Sequence, residues 1–141
     1  MKPAARLSPP AAQHGFSLVE VLTVVLIVGI LAAIALPLIT HQQEKGQDAN
    51  AKALVRAGAT ALEAHAAQST AYDATRADLL AAAPELDRAP AWTLDVEQRG
   101  FELRLQSESG TWFSMTRGAD GTLERGCDRP RRGGCPAGGS W

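Results

Sequence analysis

Between Val21 and Thr40 the sequence has no charged residue. A helix on the surface of a soluble core needs a polar face, so this absence excludes one there. Other absences narrow the chemistry. There are only two cysteines, Cys127 and Cys135, and the spacing C-x7-C with a single pair supplies too few ligands for a two-plus-two zinc site. The three histidines, His14, His41 and His65, form no ligand pattern. No glycine-rich phosphate loop and no Ser/His/Asp arrangement stands out. Asp120, Glu124 and Asp128 are near one another in sequence but lack the spacing of a calcium loop. The charge is nearly balanced, 14 Lys+Arg against 15 Asp+Glu, and gives no overall push towards nucleic acid. The expectation is a chain that is not an enzyme and takes no cofactor and no metal.

What is present is the apolar run Gly15 to Thr40, whose one charge is Glu20. At about 1.5 Å per residue, roughly 20 helical residues cross a hydrocarbon core, and Phe16 to Ile39 is long enough. The order of segments is unlike a secretory signal peptide, whose apolar core comes before its cleavage site. Here a polar, basic leader, Met1 to Gly15, precedes the run directly. A cut between Gly15 and Phe16 would remove the leader and keep the helix. Glu20 is costly in a membrane unless it stays at the interface or finds a cation. The cut creates a cation, the α-amino group of Phe16, about one helical turn from Glu20. In a bundle of like helices, Glu20 of one chain could meet the Phe16 amine of the next. Gly29 and Pro37 are weak points in the helix. They are either tolerated, as such residues often are in membrane helices, or places where the helix curves or melts.

Lys2 and Arg6 lie in the leader with no acid, which puts the N-terminus in the cytoplasm and the bulk of the chain outside. Without those two bases the chain has 12 Lys+Arg against 15 Asp+Glu, a net charge of about −3. About 100 residues remain for a water-facing part, enough for one small core.

Helix should continue from His41 to about Ser69, where alanine is abundant and proline absent. Ala51, Leu54, Val55, Gly58, Ala61, Leu62 and His65 form a stripe at spacings of three and four. Glu44, Lys45, Asp48, Lys52 and Arg56 are expected mostly off it. Thr70 to Pro90 is a connector, with a helix cap at Thr75 to Asp78, a short apolar turn at Leu79 to Ala81, and breaks at Pro84 and Pro90. Residues 92–97 and 101–106 alternate at period two, and Thr111 to Thr116 is rich in strand formers. Turn signals separate them at Gly100, Ser109-Gly110 and Asp120-Gly121. Three antiparallel strands, or four with Thr122 to Glu124, make a meander. Trp92, Leu94, Val96, Phe101, Leu103, Leu105 and one of Trp112 or Phe113 should face the helical stripe. The fold class expected is α+β, a long N-terminal helix packed on a small antiparallel sheet.

Gly126 to Trp141 reads as an irregular loop. It lies on the outer side of the membrane, where disulfides persist, so a Cys127–Cys135 bond is expected over free thiols. So short a loop should gain roughly 2–3 kcal/mol from closure. Arg125, Arg129, Arg131 and Arg132 crowd the same region. They are either solvated, or paired with Asp120, Glu124 and Asp128, or in contact with DNA or a neighbouring subunit.

The run Gly15-Phe16-Ser17-Leu18-Val19-Glu20-Val21-Leu22 resembles the type IV prepilin processing site, G-F-[ST]-L-x-E. Pro37 falls where that family commonly has a proline. The resemblance implies a leader at 1–15, an assembly helix at 16–40 and an extracytoplasmic head at 41–141. It implies cleavage by a prepilin peptidase, N-methylation of Phe16, and storage as a single-pass precursor in the inner membrane, among its lipids. Assembly on an inner-membrane platform would then make a helical filament of this and other pilins on the cell surface. The C-terminal cysteines resemble the disulfide that staples many pilin heads. Within the family the expected role is a type IV pilus subunit, serving adhesion, motility or DNA uptake. The alternatives are a type II secretion pseudopilin and a competence pilin whose arginine-rich loop binds DNA.

Overall fold

The computed structural model describes residues 15–141. The leader residues Lys2, Arg6 and His14 lie outside the described residues. The chain divides into two units, one ending at Pro37 and the other Leu38–Trp141.

In the first unit, Gly15, Phe16 and Ser17 precede the helix α1, which runs Leu18–Ser69. The start falls two residues after Phe16 because Ser17 caps it. The Glu20 amide donates to Ser17 Oγ at 3.4 Å and the Val21 amide to the Ser17 carbonyl at 3.2 Å. The helix is unbroken through Gly29 and Pro37. Every residue from Gly15 to Pro37 is exposed, the large apolar ones included. This helix is long and apolar enough to cross a membrane. A helix apolar all round finds its stable setting in lipid or between other helices.

In the second unit, the rest of α1 buries Asp48, Ala51, Val55, Gly58, Ala59 and Leu62. The connector holds α2, Arg76–Ala82, and a 3-10 turn, Pro84–Arg88. Thr75 and Asp78 form a reciprocal cap at the start of α2. Four strands follow: β1 Ala91–Glu97, β2 Gly100–Gln106, β3 Trp112–Arg117 and β4 Leu123–Cys127. They form one antiparallel sheet in the order β1-β2-β3-β4.

The register lines up Trp92, Leu105 and Phe113, and beside them Leu94, Leu103 and Met115. Side chains on one face of the sheet, Trp92, Phe101, Leu103, Leu105, Phe113 and Met115, are buried with Val55, Leu62, Leu79 and Leu86. Of the pair Trp112 and Phe113, it is Phe113 that turns inward. Leu94 and Val96, on edge strand β1, are only half-buried. Gly58 sets the helix-to-sheet distance, because a Cβ there would sit 2.6 Å from Leu103 Cδ2.

Two expectations are corrected. The fourth strand extends to Cys127, taking Gly126 and Cys127 out of the irregular loop, because pairing with β3 continues to Phe113↔Cys127. Asp48 is not off the stripe but wholly buried on it. It sits about one helical turn before Ala51 and two before Val55, and polar groups from two distant loops satisfy it.

Candidate functional site

The junction Gly15-Phe16 stands outside α1 and is exposed, with nothing near Gly15 that a side chain would meet. A peptide bond in this setting is open to a protease. Glu20 lies in the first turn of α1, where the helix dipole favours a carboxylate. The next carboxylate along the chain is Glu44, beyond the apolar run. Phe16 is 80% exposed and Leu18 is 75% exposed.

At the other end of the chain, Cys127 and Cys135 are joined by a disulfide. The loop they close is fastened to α1 by two side chains one turn apart. Asp48 accepts the Gly134 amide at 2.7 Å and the Ser109 hydroxyl at 2.5 Å. Lys52 Nζ donates to the Gly134 carbonyl. Burial lowers the pKa of Lys52, an effect that Asp48 opposes and Arg56 reinforces. Trp141 closes the region, with its ring edge-on to Phe113 at 5.9 Å and its Nε1 donating to the Gly126 carbonyl at 2.8 Å. Asp48, Lys52, Ser109 and Trp141 were missed as a group in the sequence. The available signal was a charge placed on the apolar stripe, at Asp48.

The four arginines remain exposed and spread along this loop and β4. The Arg125 guanidinium lies over the Trp141 ring at 5.7 Å. Two of the nearby acids, Asp120 and Asp128, take hydrogen bonds from other groups. Asp128 accepts the Trp112 amide at 2.9 Å, and Asp120 accepts the Thr122 amide at 3.0 Å and its hydroxyl. Those bonds from Thr122 hold Asp120 below the usual carboxylate range. Among the described residues the arginine ion pairs lie elsewhere, at Arg104–Glu102 and Arg117–Glu63. His41 is exposed, and His65 meets Asp73 Oδ1 at 2.9 Å. Among the described residues no group of three His, Cys, Asp or Glu side chains could hold a metal ion.

Residues 10–36 match the prokaryotic N-terminal methylation motif. Over 67 residues the chain is 36% identical to type II secretion system core protein G of Pseudomonas aeruginosa, covering 48% of this chain and 47% of that one. It is 45% identical over 53 residues to the type IV major alpha-pilin of Moraxella bovis, 38% of this chain and 33% of that one. Fimbrial protein Q of the same organism matches at 45% over 53 residues, 38% and 34%. The chain thus spans between about a third and a half of the length of the relatives it matches. No solved structure matches it. The chain thus carries the N-terminal methylation motif at residues 10–36, is similar over part of its length to type IV pilins and to a type II secretion core protein, and packs a long helix on a four-stranded antiparallel sheet.

Proposed function

We propose that the chain is a type IV pilus subunit. It is cleaved between Gly15 and Phe16 by a prepilin peptidase, methylated on the new Phe16 amine, held in the inner membrane by α1, and polymerised through that helix into a surface filament. The observation that carries this reading is the apolar stretch of α1 from Leu18 to Thr40, exposed throughout, whose only charge, Glu20, stands in the first turn just after an open junction. Such a helix needs either lipid or its own copies around it, and a filament supplies the second. Its partners are then other copies, other pilins and the assembly platform. The role is structural and involves no catalysis.

N-terminal sequencing of the membrane-bound protein tests the processing step, and should read a methylated Phe-Ser-Leu-Val-Glu. An intact Met1 start in cells with active prepilin peptidase would defeat it. Gly15→Leu should leave the leader attached.

A second reading is a type II secretion pseudopilin. It is favoured by the match to core protein G, which extends over 67 residues against 53 for the two Moraxella proteins. Deleting the chain separates the two. Loss of surface filaments with normal protein export supports the pilus; loss of export with filaments intact supports the pseudopilin.

A further inference from the structure

Both halves of the Cys127–Cys135 pair are held in place by bonds that do not involve sulfur. On one side, Cys127 ends β4 opposite Phe113. Its amide donates to the Gly139 carbonyl at 2.7 Å, and Trp141 Nε1 grips the neighbouring Gly126 carbonyl. On the other side, Cys135 follows Gly134, whose amide is held by Asp48 and whose carbonyl is held by Lys52. Asp48 is wholly buried, so its bond to Gly134 is shielded from water. The approach is close enough that only glycine fits. A Cβ on Gly134 would lie 2.9 Å from Asp48 Cβ, and one on Gly133, at φ +51°, would run into the Asp48 carboxylate. Inside the loop, the Arg131 amide donates to the Cys135 carbonyl at 3.0 Å and the Cys135 amide to the Arg132 carbonyl at 2.9 Å.

We infer that Asp48 and Lys52 are a positioning pair for closure of this disulfide: by gripping the Gly134 peptide they hold Cys135 beside Cys127 before the bond exists. The head folds first and is oxidised second, and the bond locks a conformation already made. Chemically the step is a thiol–disulfide exchange with an external disulfide such as oxidised glutathione. One cysteine thiolate attacks it and releases one glutathione. The second cysteine thiolate then displaces the other glutathione. The two cysteines lose two protons and two electrons, and the glutathione disulfide gains them. Positioning raises the rate and extent of the second, intramolecular step, which the effective concentration of one thiol towards the other measures. The inference stands whether the filament is a pilus or a pseudopilus.

The test uses the full chain in detergent, reduced and then equilibrated in glutathione buffers of graded ratio, with free thiols counted by alkylation and mass. Wild type should close at a glutathione ratio well below that needed by the same chain unfolded in urea. A hydrogen bond to a charged group is strong enough that Asp48→Asn and Lys52→Met should each lower the effective concentration by about tenfold or more. Ser109→Ala removes a different bond to Asp48 and leaves the Gly134 grip intact, so it should stay within about twofold of wild type. Wild-type closure in Asp48→Asn or in Lys52→Met overturns the inference. So does a fall in Ser109→Ala as large as that in Asp48→Asn, since general loosening of the head would then explain both. If Asp48→Asn does not fold, Lys52→Met decides alone, because Lys52 is half-exposed and methionine keeps its aliphatic stem.

Discussion

The Gly134 amide donates to the Asp48 carboxylate across 86 positions of sequence. With Ser109, this joins three remote segments at one turn of α1. Replacing Asp48 by alanine leaves the Gly134 amide and the Ser109 hydroxyl without their acceptor and removes the carboxylate facing Lys52. Such groups cost about 1–3 kcal/mol each when left unsatisfied, so Asp48→Ala should destabilise the head by about 3 kcal/mol. Denaturant unfolding of the full chain in detergent measures this, and a loss below about 1 kcal/mol would show the site to be solvated after all.

The cap of α2 gives a pH dependence of definite sign. Thr75 donates to Asp78 from its hydroxyl and its amide, and these bonds hold the Asp78 carboxyl below its usual range. A pKa lowered by folding contributes stability that is fully present above the unfolded value, about 3.9 for aspartate. That contribution is lost as the pH falls through the lower folded value. Asp73, held low by bonds from His65 and Ser69, and Asp120, held low by Thr122, act in the same direction. Stability should therefore drop on acidification below the ordinary aspartate range. Thr75→Ala should shrink that drop and cost about 1 kcal/mol at neutral pH, the usual worth of an N-cap. An unchanged acid limb in unfolding curves of Thr75→Ala would count against the cap.

Most of the fold was legible because its signals are local or periodic. The apolar run, the stripe from Ala51 to Leu62, the cap at Thr75 to Asp78 and the alternation in residues 92–106 each lie within one element. The burial of Asp48 does not. A charge on a helix is expected to face water, and the groups that overturn this come from Ser109 and Gly134, 61 and 86 positions away. Gly133 and Gly134 read locally as turn residues, yet their smallness serves a contact with α1. At the N-terminal junction the motif was legible, since it is defined by residues close together in sequence, among them Gly15, Phe16 and Glu20. The end of β4 was not, because its pairing is inherited from β3.

Binding to DNA should be weak. Arg125, Arg129, Arg131 and Arg132 are exposed, but after removal of the leader the chain would carry a net charge of about −3. Four arginines neutralise few phosphates, and affinity from such contacts falls steeply with salt. Gel-shift or anisotropy titration near physiological salt should show little binding. Tight binding that disappears in Arg131→Ala/Arg132→Ala would instead favour a competence pilin.

Glu20 should act in assembly and not in membrane insertion. The stretch from Val21 to Thr40 has no charge, so Glu20→Ala should leave the amount of protein in the membrane unchanged. Cleavage should continue, because Gly15, Phe16 and the Ser17 cap are untouched by the change. What should fail is the entry of a new subunit. In a bundle of these helices, the Phe16 amine of one chain and Glu20 of its neighbour would meet away from water. Deleting one member of a desolvated pair strands the other, at roughly 3–5 kcal/mol. The penalty recurs at every subunit added, so filaments should be few or absent. Glu20→Gln should fail as well, since it keeps the shape and loses the charge. A change at exposed Glu97 is the control, because exposed charges contribute about 1 kcal/mol or less and filament yield should hold. Shearing and electron microscopy give the yield, with membrane protein and processed N-terminus measured in the same cells. Normal filaments from Glu20→Ala would show that the helices assemble by apolar packing alone. Lost filaments accompanied by lost membrane protein would place Glu20 in insertion.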